Sequence, residues 1–247
     1  MKELKIGYLP DVQAKDDVPL DHLSWAGEYF AEKRPDVIIC GGDFADMPSL
    51  SEYDRGKVSY EGRRYVKDVE AAKRGMDRFI TPIRKTKGYR PRLVLTLGNH
   101  EQRIDRAQDS DARLKGTIGI EDLCYKDYGW QVHPFLEVIQ IGGVHFAHFF
   151  PSGIMGRPCN SARKIISTYH VSAVCGHQQG RDVAYAKRGD GRAITAIIAG
   201  SFYQHDESYL TPMANLCWRG IVMLHEVKDG QFDEMFVSMN FLRKRYQ

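Results

Sequence analysis

Three short stretches of the chain share one design: LKIGYLP running to Asp11, DVIICGG running to Asp43 and RLVLTLG running to Asn99. Each is rich in β-formers, almost continuously apolar, and closed by Gly or Pro beside a polar residue. A strand buried on both faces ends in this way. Between them the period changes to that of a helix. From Leu20 to Arg34 the apolar positions Leu23, Ala26 and Phe30 recur at helical spacing, and Pro35 stops the run. From about Arg63 to Lys87 the stripe is Val66, Val69, Ala72, Met76, Phe79, Ile80 and Ile83, with Pro82 expected to kink or end it. Strand and helix alternate, which predicts right-handed crossovers and a parallel sheet.

The second half reads differently. FLEVIQI and VHFAHFF flank a Gly-Gly turn, AYAKR and RAITAIIAG flank GDG, and RGIVMLHEV and QFDEMFVSM flank KDG. Paired strand patterns joined by tight turns predict a mostly antiparallel region. One helix, about Ser161 to Tyr169, precedes the buried strand SAVCG, which ends at His177-Gln178-Gln179. No repeat or Pro/Ser-rich linker separates the halves, so residues 1–247 are expected to form a single domain. The expected fold class is α/β, a two-layer mixed β-sheet sandwich flanked by helices.

Charge and cysteine usage narrow the partners. Thirty-five Lys+Arg against 32 Asp+Glu give +3, too little for bulk attraction to nucleic acid or an anionic membrane. Any basic surface is therefore local. The five cysteines are odd in number, widely spaced and mostly set in apolar runs, which fits buried thiols in a reducing compartment. No signal-length apolar stretch precedes DVQAKDD, and AITAIIAG is too short to span a bilayer. The expectation is a soluble, cytoplasmic protein with no membrane contact.

In open α/β sheets ligands bind beyond the carboxyl ends of strands, and here one strand after another ends in a potential metal ligand. The series is Asp11 with Gln13, Asp43 with Asp46, Asn99 with His100, His148, and His177 with Gln179. Gly-Asp and Gly-Asn alone are ordinary turn chemistry. All five in this order are not.

The motifs DVQ, GDFAD, GNHE, VHFAH and GHQQ together resemble the calcineurin-like metallophosphoesterase family, over residues 5 to about 180. The block GDFADMPSLSEYDRGK followed by GNHEQRI is similar to members encoded by phages and prophages. The resemblance implies a dinuclear site bridged by Asp43, with Asn99, His148 and His177 completing one metal's shell and Asp11 belonging to the other. Two histidines of the family pattern are replaced here, by Gln13 and Gln179, and both replacements fall on that second metal. An amide oxygen is a hard, neutral donor, so this second site becomes all oxygen. It should be the weaker one. Mn²⁺ is the best single ion for both sites, with Mg²⁺, Fe and Zn²⁺ as alternatives.

The resemblance further implies hydrolysis by a metal-bridging hydroxide, with His100 as general acid and Asp46 favouring its protonated form. Arg103 and Arg106, just after GNHE, are candidates for gripping phosphate oxygens. His145 is three residues from His148, which in a strand places it on the opposite face, and is read as structural. The segment from Ser49 to Asp68 mixes Tyr53, Tyr60 and Tyr65 with Arg55, Lys57, Arg63 and Arg64, which suits either phosphate and bases or a solvated helix entrance. The closing FLRKRYQ reads as a solvated terminal run. The leading functional expectation is a phosphoesterase acting on a phosphodiester in a nucleotide or nucleic acid. A small-molecule phosphomonoesterase and a metal-bound binding protein are the alternatives, and the oligomeric state is left open.

Overall fold

The computed structural model describes residues 3–207 and 210–247. Its first half alternates strand and helix: β1 (Leu4–Leu9), α1 (Asp21–Lys33), β2 (Val37–Cys40), α2 (Tyr65–Lys85), β3 (Arg92–Thr96), α3 (Gln102–Ser110) and β4 (Gln131–His133). The four strands are parallel, with Gly7 opposite Ile38, Ile38 opposite Leu93 and Val94 opposite Gln131. α1 closes on Arg34 in the left-handed region just before Pro35. α2 runs through Pro82 to Lys85. The proline sits in the last turn, where few helical bonds remain to be lost. Its ring packs on α1 at Gly27, where an added Cβ would stand only 2.3 Å from the Phe79 carbonyl. Of the predicted stripe, Val66 alone is exposed.

The second half adds β5 (Ile139–Ile141), β6 (Val144–Phe146), β7 (Pro151–Ser152), β8 (Arg157–Pro158), α4 (Ala162–Tyr169), β9 (Ala173–Cys175), β10 (Arg181–Lys187), β11 (Ala193–Ala199), β12 (Gly220–Lys228), β13 (Gln231–Ser238) and α5 (Met239–Tyr246). The three hairpins form at their expected turns. The region is mostly antiparallel, as its turns predict, and β9 is the exception. α4 carries the chain back over the sheet, so β9 lies parallel to both β6 and β11. β12 leaves that sheet and pairs antiparallel with β1, Gly7 opposite Met223.

Two mixed sheets result, ordered β13-β12-β1-β2-β3-β4 and β10-β11-β9-β6-β5. Ile6, Tyr8, Ile39 and Val94 of the first meet Phe146, Val174 and Ile197 of the second in one buried cluster. α1 and α2 cover the outer face of the first sheet and α4 that of the second. The fold is thus the α/β two-layer sandwich flanked by helices. The basic C-terminal run is helix α5, anchored by buried Leu242 and by Arg245 paired with Glu32 at 2.8 Å. No described helix is long and apolar enough to cross a membrane.

Candidate metal centre

Buried parallel strands release their chain at one edge, and the polar residues gather there. Asp43 follows Cys40 through Gly41 and Gly42, and its own φ is +50°. Asp11 and Gln13 follow β1, Asn99 and His100 follow β3, and His177 and Gln179 follow β9. Two glycines permit the convergence. A Cβ on Gly98 would lie 2.0 Å from Asp43 Oδ1, and one on Gly176 would lie 2.2 Å from Asp11 Oδ1. His148 reaches the group from beyond β6, which ends at Phe146. Strand alternation therefore does not set its direction. His145 remains within β6, with its Nδ1 3.3 Å from the Ser172 carbonyl, away from the cluster.

Asp43, His148 and His177 bring ligand atoms within 4.8 Å of one another. His148 Nε2 lies 3.3 Å from Asp43 Oδ2, 3.3 Å from His177 Nδ1 and 2.9 Å from Asn99 Oδ1, and His177 Nδ1 lies 2.7 Å from the same Asn99 oxygen. Donors around one first-row ion bound at about 2 Å stand roughly 3 Å apart, so these four side chains fit a divalent metal. His148 Nδ1 is 2.8 Å from the Gly41 carbonyl. A proton held there turns the Nε2 lone pair into the cluster.

The charges support one another. Burial works against the Asp43 carboxylate, but His100 and His148 more than offset it and hold its pKa below the usual range. Burial would likewise depress His148, yet Asp43 raises it to about 9. His177 is pushed down to about 4 by burial and by the neighbouring His148 charge. Asp11 is pushed up to about 7, by burial first and Asp43 second. Two buried carboxylates among imidazoles form a donor set that a divalent cation could share in place of the imidazole protons.

Beside the cluster, His100 Nδ1 lies 2.6 Å from Asp46 Oδ1, and its Nε2 faces Asp43 Oδ2 at 3.7 Å. Burial lowers the pKa of His100, and the two aspartates outweigh it so that the net shift is upward. Arg103 donates to the Asp46 carbonyl at 2.7 Å and brings its Nη2 to 3.4 Å from His100 Nε2. Arg106 is exposed on α3 and is not brought into this group. In the Ser49–Asp68 segment, Tyr60 and Arg63 are used internally, on the Ser49 and Pro48 carbonyls. Tyr53 is left exposed, with Lys57 over its ring.

The glutamines differ from simple ligands. Gln13 is buried with φ +48°, and its N–H donates to the Asp43 carbonyl at 2.8 Å. Gln179 accepts from the Tyr203 hydroxyl at 2.7 Å through Oε1 and points Nε2 at Asp11 Oδ2, 3.4 Å away. Its amide oxygen is thus held away from Asp11.

Sequence reasoning passed over Glu101. This fully buried carboxylate accepts from the backbone N–H groups of Asp43, Ala45 and Gly98 at 2.9 to 3.0 Å and from the Tyr125 hydroxyl at 3.0 Å. It stitches the GGDFAD turn to the GNHE turn. The available signal was the need of two glycine-rich turns for buried acceptors.

Fold and side chains together define an α/β protein with a candidate metal centre at its strand carboxyl ends. No protein-family model matches the chain, and no curated protein matches it. Among solved structures, YfcE, a phosphoesterase from E. coli, is similar over 96% of this chain and 100% of its own, at 13% identity and a TM-score of 0.41. The functional reading rests on the site's own side chains.

Proposed function

We propose that the protein is a divalent-metal-dependent phosphoesterase that hydrolyses a phosphodiester in a nucleotide or nucleic acid. The observation that supports it most is the meeting of Asp43, Asn99, His148 and His177 beside the buried His100–Asp46 pair. Those four side chains would hold the tighter ion. Asp43 and Asp11, with Gln13 and Gln179, would hold a weaker second one once Gln179 turns its oxygen from Tyr203. Mn²⁺ suits both donor sets. Bound ions would supply an activated water and positive charge for the phosphate oxygens.

The chain's own residues do the rest. Asp46 holds the His100 ring in place and keeps it protonated, so that His100 can donate a proton to the leaving oxygen. Arg103, fixed on the Asp46 carbonyl, offers its guanidinium to a phosphate oxygen on the same side. The test is a turnover panel with Mn²⁺ on bis-p-nitrophenyl phosphate, p-nitrophenyl phosphate and single- and double-stranded DNA. Diester hydrolysis is expected. Activity on the monoester alone would give a phosphomonoesterase, and silence with metal bound would give a binding protein.

A further inference from the structure

A cavity of about 520 Å³, whose lining does not include Asp46, lies between α3, the 120–127 turn and the carboxyl end of β4. Its apolar wall includes Leu97, Ile120, Val132 and Phe135. It is joined to the metal centre by side chains. The Phe135 ring lies 6.1 Å from that of His148 and 5.6 Å from that of Phe149, which in turn is 4.7 Å from His177. Leu97 is two residues before Asn99, and its N–H donates to the His133 carbonyl at 2.9 Å, fixing the start of the Phe135 segment beside it.

The rim carries Asp105, Glu121 and Asp127 against a single cation, Lys126. Three carboxylates repel phosphate, so the phosphate of a substrate belongs at the metal centre and something else belongs here. A flat, neutral ring that presents N–H groups to carboxylates and a face to an aromatic side chain matches both the wall and the rim. We propose that this cavity is the subsite for a nucleobase bearing an exocyclic amine, attached to the phosphate held at the metal centre. The proposal rests on the phosphoesterase reading and gives it a substrate class. Binding is non-covalent, with Phe135 stacking on the base and the rim accepting its N–H groups. A phosphodiester of adenosine, cytidine or guanosine fits better than a sugar phosphate without a base.

The test compares AMP with ribose 5-phosphate, which lacks only the base, as inhibitors of bis-p-nitrophenyl phosphate hydrolysis by the Mn²⁺-loaded protein. Stacking of one base predicts that AMP binds about 5- to 150-fold more tightly. Phe135→Ala and, elsewhere on the wall, Ile120→Trp should each bring that ratio close to one while ribose 5-phosphate still inhibits. A wild-type ratio near one overturns the proposal, and so does a ratio that survives both substitutions. If no ester is hydrolysed, the catalytic reading has failed by itself. Calorimetry with AMP and ribose 5-phosphate then still measures the ratio and decides the base subsite.

Discussion

At the scale of single residues, the proposed role of His100 is that of a proton donor and not a ligand. Its Nδ1 is occupied by Asp46 at 2.6 Å, while the candidate ligand atoms come from Asp43, Asn99, His148 and His177. His100→Asn should lower kcat by about 10²- to 10⁴-fold and leave bound metal, measured by elemental analysis, unchanged. Loss of metal in that variant would make His100 a ligand instead. That these residues are candidates was legible because all but His148 follow closely on a short apolar run. What they touch was not. Gln179 meets Tyr203, 24 residues away, and Glu101 meets Asp43 and Ala45, more than 50 residues away, and such partners are chosen by the fold. Hence the amide oxygen expected to face a metal faces a hydroxyl in the structure.

At the scale of elements, long periodic segments were readable and short ones were not. α1 and α2 fall within two residues of their sequence limits, since thirteen and twenty-one residues carry several turns of apolar stripe. β4 and β6 have three residues each, too few for any period to show. His148 accordingly reaches the centre from a loop and not by strand alternation. α1 also buries a titratable group. His22 is pushed down to about 3, by burial first and then by the charge of His205. In the unfolded chain its pKa is about 6.5. Between those values the unfolded chain binds the extra proton, so stability falls as pH drops from 6.5 toward 3. His22→Gln should make the melting temperature less dependent on pH between 6.5 and 4. An unchanged slope would show that His22 does not carry this loss.

At the scale of the whole molecule, the parallel order of β1, β2 and β3 was legible from their crossovers, whereas the return of β12 to pair with β1 was not. A hairpin pattern does not say which sheet receives it. That return closes the sandwich and sets the loop after β11 against the loop after β1, where the Phe202 N–H donates to the Asp11 carbonyl at 2.7 Å. The resulting edge holds the candidate metal centre between a charged cavity of about 320 Å³ that includes Lys15, Asp46 and Arg103 and the more apolar one at Phe135. The central claim is that hydrolysis of a phosphoester depends on metal held by Asp43, Asn99, His148 and His177. It is tested most directly by following bis-p-nitrophenyl phosphate hydrolysis in protein stripped with a chelator and then titrated with Mn²⁺, beside a His148→Ala variant. No turnover is expected after stripping, with full recovery in the wild type as Mn²⁺ binds and none in the variant. Turnover that survives stripping, or recovery without His148, would contradict that claim.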